Sequence, residues 1–147
     1  MTGQMEGEKA MADALIGGCM CGAVRDTCKT GPAATMVCHS LDCLKRSGSP
    51  FLTTMFYLQS DFEISGELKF FDKRTDAANV MTRAFCGTSG SHLSGNTTGY
   101  FGHVFVAAGT LDDPSRVTPN VRCWMPRSLH WLESVTGLKG FEKDPEI

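Results

Sequence analysis

No apolar run in the sequence approaches the roughly 18–20 residues that a membrane-spanning helix needs. The first residues, MTGQMEGEKAMADALIGG, lack the apolar stretch of a secretory signal, and two acids precede the first lysine. The last residues, DPEI, form no standard targeting address. A cytoplasmic location is therefore expected. An excess of one charge is missing as well: 14 Lys and Arg stand against 16 Asp and Glu, a formal net charge of -2. That balance argues against a nucleic-acid partner gripped through its phosphates, and no membrane partner is expected. No stretch of about a dozen residues keeps a helical apolar period. Repeats and low-complexity tracts are absent. So are G-x-G-x-x-G, the P-loop and G-x-S-x-G, the signatures of dinucleotide sites, nucleotide triphosphatases and nucleophile elbows.

What is present is cysteine, 7 residues in 147. An odd count fits a complete disulfide framework poorly. Cys19 and Cys21 form a C-x-C pair, too close for an ordinary bridge between them. Metal binding or thiol chemistry in a reducing compartment is the first expectation. A hydrophobic share of 41% supports one cored domain of ordinary size.

The rest of the chain is strand-like. Phe51 to Leu58, Phe62 to Ile64, Leu68 to Phe71, Val80 to Phe85, His103 to Ala108 and Val121 to Met125 are short segments rich in aromatic and β-branched residues. Shorter candidates are Ala23 to Arg25 and Ala34 to Cys38. Gly, Pro, Asn and Asp punctuate them. Ser40 to Pro50 and Ser94 to Gly99 are expected to be irregular, Asp72 to Ala78 to return to solvent, and Trp131 to Val135 to form a helical turn. The fold class is mainly β. Residues 1–14 are expected to be a flexible segment, and 15–143 the domain.

Three segments carry five of the seven cysteines: Gly18-Cys19-Met20-Cys21-Gly22, Cys38-His39-Ser40-Leu41-Asp42-Cys43 and Phe85-Cys86-Gly87-Thr88-Ser89-Gly90. In extended backbone, residues two apart point the same way, so one metal can take both thiolates of a C-x-C pair. The third segment has the shape of a zinc knuckle whose second cysteine is replaced. Zinc takes four ligands in a structural site and three plus an open position in a catalytic one. Three readings stand open: zinc on some subset of the thiols, a domain that keeps the geometry without metal, or disulfides and buried thiols. Other residues divide the same way. Lys45 and Arg46 form a solvated face, or favour a thiolate and hold a carboxylate. Asp112 and Asp113 fit a turn or cap before Pro114 better than an acid–base pair. His92 and His103 fit structural roles, and Trp124 and Trp131 fit packing roles.

The runs GGCMCGAVR (17–25), CHSLDCLKRSGSPF (38–51), RAFCGTSGSHL (83–93) and GTLDDP (109–114), followed by Pro119, Trp124 and Trp131, carry a resemblance. In this order they resemble the glutathione-dependent formaldehyde-activating enzymes and the related centromere protein V. The resemblance implies a small β-tent of packed, twisted antiparallel sheets and two zinc sites. The implied structural zinc uses Cys19, Cys21 and Cys86, with Ser89 at the fourth ligand position. The implied catalytic zinc uses Cys38 and Cys43, with Ser40 at the middle position. Serine is a poor zinc ligand because its hydroxyl stays protonated near neutral pH. One structural ion is therefore expected, with the second site degraded. Alternatively, the five retained cysteines regroup around one metal. His39 stands beside Cys38 as a substitute nitrogen ligand or a turn-stabilising group. Cys28 and Cys123 match no ligand position and are read as incidental thiols.

The implied activity joins formaldehyde to glutathione or, in reverse, cleaves a carbon–sulfur bond. The expected protein is thus a carbon–sulfur lyase-like enzyme acting on a thiol–carbonyl adduct, a glutathione adduct among the candidates, with Cys38, Cys43 and His39 as catalytic candidates. Two alternatives stay open. One is a zinc-poor isomerase, decarboxylase or dehydratase of a biosynthetic route. The other is a non-catalytic zinc-binding scaffold, which the absence of clustered basic charge disfavours.

Overall fold

The structure is a computed structural model, and it describes residues 14–146. The expectation of a flexible N-terminal segment therefore falls almost wholly outside the described residues. Among the described residues, ten strands and one α-helix follow in order: β1 (Leu15–Gly18), β2 (Arg25–Cys28), β3 (Ala34–Cys38), α1 (Leu41–Ser47), β4 (Leu52–Leu58), β5 (Phe62–Ser65), β6 (Leu68–Arg74), β7 (Val80–Cys86), β8 (His92–Thr97), β9 (His103–Ala107) and β10 (Val121–Cys123). They form a three-stranded sheet, β1-β2-β5, and a seven-stranded sheet, β10-β3-β4-β9-β8-β7-β6. The architecture is mainly β, as the segment pattern implied.

Alternation builds the core. On β4, Met55 and Tyr57 point inward, and on β9 so do Val104 and Val106. They meet Leu15, Cys28 and Phe62 from the smaller sheet, so the main core lies between the sheets. A smaller cluster of Cys19, Val24, Cys86 and Leu93 sits at one end of it. The turn from β1 to β2 depends on glycine. A Cβ on Gly18 would fall 2.2 Å from the Val24 carbonyl oxygen, closer than any real contact.

Four local expectations are corrected. Ser40 to Pro50 is not irregular, because α1 forms there. Ser40 caps it by accepting from the Cys43 N–H at 3.2 Å, and Gly48 ends it at φ +63°. None of its residues is buried, so no apolar stripe announced it. Ser94 to Thr97 is not loop but part of β8, hydrogen-bonded between β7 and β9. Small residues suit it because Met81 and Arg46 crowd the place where a Cβ on Gly95 would go. β6 continues to Arg74 along the sheet edge rather than stopping at Phe71. Finally, the pairing is not wholly antiparallel: β10 runs parallel to β3, with Cys123 opposite Cys38.

Candidate active site and metal centre

Two cysteine groups form at separate places. The first lies where the turn after β1 meets the end of β7. The sulfur atoms of Cys19, Cys21 and Cys86 all lie within 4.8 Å of one another. Cys19 Sγ is 3.5 Å from Cys21 Sγ, and Cys21 Sγ is 3.7 Å from Cys86 Sγ. Such spacings match thiolates on one tetrahedral ion with metal–sulfur bonds of about 2.3 Å. The surroundings favour anionic sulfur. The Ser89 hydroxyl and the N–H groups of Ser89 and Thr88 hold the Cys86 thiol down at about 6. Burial opposes ionisation of Cys19, but the Val24 N–H, 3.1 Å from its sulfur, and the Cys21 thiol outweigh it and lower its pKa. These three residues can coordinate one metal ion. Ser89 instead bonds Ser91, oxygen to oxygen at 3.0 Å, and Ser91 accepts the Met20 N–H at 2.9 Å. The two serines thus brace the loops that carry the cysteines.

The second group opens onto a cavity of about 270 Å³. Its wall carries Cys38 from the end of β3, Cys43 from α1 and Cys123 from β10. Cys123, read from sequence as incidental, is thus a neighbour of Cys38. Hydrogen bonds from the Cys123 and Cys43 thiols hold Cys38 well below the ordinary thiol range. Both donors are correspondingly pushed up, first by their bonds to Cys38 and then by burial. The Ser40 oxygen lies 3.5 Å from Cys38 Sγ. The missing middle thiol of the C-x-C-x-x-C pattern is therefore a helix cap that also faces Cys38.

Arginine forms another side of the cavity. Arg83, on β7, is 9% exposed. Its Nη2 approaches Asp42 at 3.6 Å, while its buried Nη1 has no partner. Arg46 bonds the carbonyls of Ser94 at 2.7 Å and Ala84 at 3.3 Å. Lys45, by contrast, is exposed, so the pair divides between a solvated face and the cavity. His92 also faces the cavity, with both ring nitrogens buried and unpartnered. Burial, then the charges of Arg46 and Arg83, pull its pKa down to about 3, so the ring is neutral at pH 7. Sequence reasoning missed Arg83 and placed His92 among satisfied structural groups. A polar residue on a strand signals nothing by itself until the fold shows its neighbours.

Of the other candidates, only Trp124 reaches the cavity. His39 is fully buried. Its Nε2 accepts from Arg122 Nε at 3.2 Å, and its ring packs edge-on against Phe51. Its backbone N–H donates to the Cys123 carbonyl at 3.1 Å, tying β10 to the end of β3. Asp112 forms a two-toothed ion pair with Arg25, and Asp113 caps the turn at Ser115. His103 stacks on Phe56 at 4.6 Å, in a structural role. Cys28 is fully buried, and burial pushes its thiol up to about 12, leaving it inert. The tryptophans are not core packing: Trp124 and Trp131 are 39% and 45% exposed, and Trp124 faces the cavity.

The site features thus define a mainly β protein with a three-cysteine cluster able to coordinate one metal ion and, elsewhere, a cavity walled by thiols and arginine. The chain belongs to the family described as glutathione-dependent formaldehyde-activating enzyme, which matches residues 14–127. The crystal structure of a Rhodobacter sphaeroides protein, a structural genomics target, is similar in fold. It superimposes with a TM-score of 0.57 at 19% identity, covering 74% of this chain and 99% of that one. No curated protein matches the chain. Among the described residues, no helix is long and apolar enough to cross a membrane.

Proposed function

We propose that the protein is a carbon–sulfur lyase-like enzyme that makes or cleaves a small thiol–carbonyl adduct bearing an anionic group. One observation carries this reading: a single cavity presents the Cys38 and Cys43 sulfurs beside the unpartnered Nη1 of Arg83. The volume suits a small molecule, or the reacting end of a larger one such as a glutathione adduct. A β-tent arrangement of the two sheets and a cytoplasmic location belong to the same reading.

In the lyase direction the carbon–sulfur bond of a hemithioacetal breaks and its electron pair stays on sulfur. The hydroxyl proton leaves as the carbonyl forms, and sulfur takes up a proton. Neutral His92 suits this exchange, since one ring nitrogen accepts while the other donates, and no net charge develops in a site with two arginines. Arg83 binds and orients the anionic group, with Arg46 adding positive potential. Cys38 and Cys43 face the reacting atoms. His39 is a positioning residue, holding β10 against β3. A zinc ion held by Cys38 and Cys43 would polarise the carbonyl oxygen and favour the substrate thiolate.

The test is adduct exchange followed by NMR, with formaldehyde and either glutathione, a small mercapto-carboxylate or its neutral analogue. Enzyme-dependent acceleration is expected for the anionic thiols. Arg83→Lys keeps the charge but loses the fork, and is expected to raise KM about tenfold, near 1.4 kcal/mol of binding. Absence of acceleration with every thiol would overturn the lyase reading. The zinc-poor alternative, an isomerase, decarboxylase or dehydratase at the same cavity, would then be favoured, because Ser40 stands where the family's middle thiol would be.

A further inference from the structure

We infer that Cys123 supplies the third thiolate of a second metal site, with Cys38 and Cys43, so that β10 replaces the ligand lost at Ser40. The argument is one of placement and stands apart from the proposed reaction. β10 pairs with β3 in parallel register, and Cys123 is opposite Cys38. Neighbouring strands lie about 4.8 Å apart, and registered partners project to the same face. Both sulfurs do so here, because Cys38 and Cys123 line the same cavity, and Cys43 reaches it from α1. The pairing is held on both sides: the His39 N–H donates to the Cys123 carbonyl, and the Asn120 side chain accepts the Thr35 N–H at 2.9 Å.

The thiols are also mutually engaged. Cys38 faces the sulfurs of both Cys123 and Cys43. Two strand-paired cysteines and a third from α1 on one cavity wall are a thiol set that a borderline-soft divalent ion can bind, releasing their protons. Zinc is the ion such a set would take: three thiolates would hold it, the donor count of a catalytic site that keeps one position for a cavity ligand. Ser40 would not be needed as a ligand, since its oxygen is occupied by the Cys43 N–H. The set is looser than Cys19, Cys21 and Cys86, which form the group whose ligand atoms all lie within 4.8 Å. The cavity ion is therefore expected to be the weaker-bound and the first to leave on dialysis against a chelator.

The experiment counts metal in the full chain, purified with zinc and desalted. Wild-type protein is expected to hold two ions, Cys123→Ser one and Cys21→Ser one. Cobalt substitution gives a second readout, because thiolate-to-cobalt absorption per chain should fall by about half in Cys123→Ser. Adding Ser40→Cys to Cys123→Ser should restore the second ion by returning a thiol to the helix cap. One ion in the wild type, or two in Cys123→Ser, overturns the inference. If Cys123→Ser does not fold, alkylation of the wild type decides. Cys123 should be protected by zinc and labelled after chelation, and equal labelling in both states overturns the assignment.

Discussion

At the scale of single residues, two buried charged side chains are unsatisfied for opposite reasons. Arg83 faces a cavity, so its unpartnered nitrogen has a use. Asp26 does not: it is 3% exposed on β2, neither carboxylate oxygen has a partner, and it lines no cavity described above. Burial raises its pKa from 3.8 to about 6, only partly offset by Arg25. Between those two values the folded chain holds a proton that the unfolded chain has released. Stability therefore falls as pH rises through that window and stays reduced at neutral pH. Asp26→Asn is expected to stabilise the protein by about 1–2 kcal/mol at pH 7.5, with the gain shrinking as pH falls toward 4. Denaturant unfolding at several pH values checks this, and a gain independent of pH would show that the carboxylate charge is not the cause.

At the scale of elements, α1 shows why one part of the site was legible and another was not. Its ligand residues were visible as a spaced pattern, but the helix was not, because its seven residues bury none of their number. What makes it a helix is its ends. Ser40→Ala removes the oxygen that accepts the Cys43 N–H and is expected to destabilise the chain by about 1 kcal/mol, with Ser40→Asp largely neutral as a replacement cap. Thermal unfolding of both variants tests the role, and equal losses would argue against capping. The strands explain the opposite failure. β4 and β9 were legible from alternation, whereas β8 was hidden because His-Leu-Ser-Gly-Asn-Thr has loop composition. Its strand state comes from pairing on both sides and from Met81 and Arg46 closing over Gly95. Cys123 was opaque for the same reason. Its partner lies 85 residues away in sequence, and only the parallel register of β10 with β3 brings them together.

At the scale of the molecule, the three-cysteine cluster is a joint between two sheets. Cys19 and Cys21 follow β1 of the smaller sheet, and Cys86 ends β7 of the larger. The core beside them is small, four buried residues of which two belong to the cysteine cluster, while the main core lies further along the interface. An ion held there binds the folded chain far better than the unfolded one, because unfolding separates Cys86 from the C-x-C pair. With free metal a thousandfold above its dissociation constant, that linkage is worth about 4 kcal/mol. Removing the ion should therefore lower the unfolding midpoint, and it should loosen this end of the interface first. Hydrogen exchange is expected to rise at Cys19 to Val24 and Cys86 to Leu93, while the amides of β4 and β9 stay protected. Cys21→Ser isolates the effect, since Cys21 is exposed and its replacement leaves no hole in the core. With chelator present to strip the cavity ion as well, that variant is expected to match the chelated wild type in midpoint, and its exchange at this end of the sheet should be the same with or without chelator. Cys123→Ser, whose sulfur lies on the cavity wall within the larger sheet, should leave the joint intact and its exchange pattern unchanged. A chelated wild type that is metal-free by assay yet unfolds at the original midpoint would show that packing alone closes the two sheets.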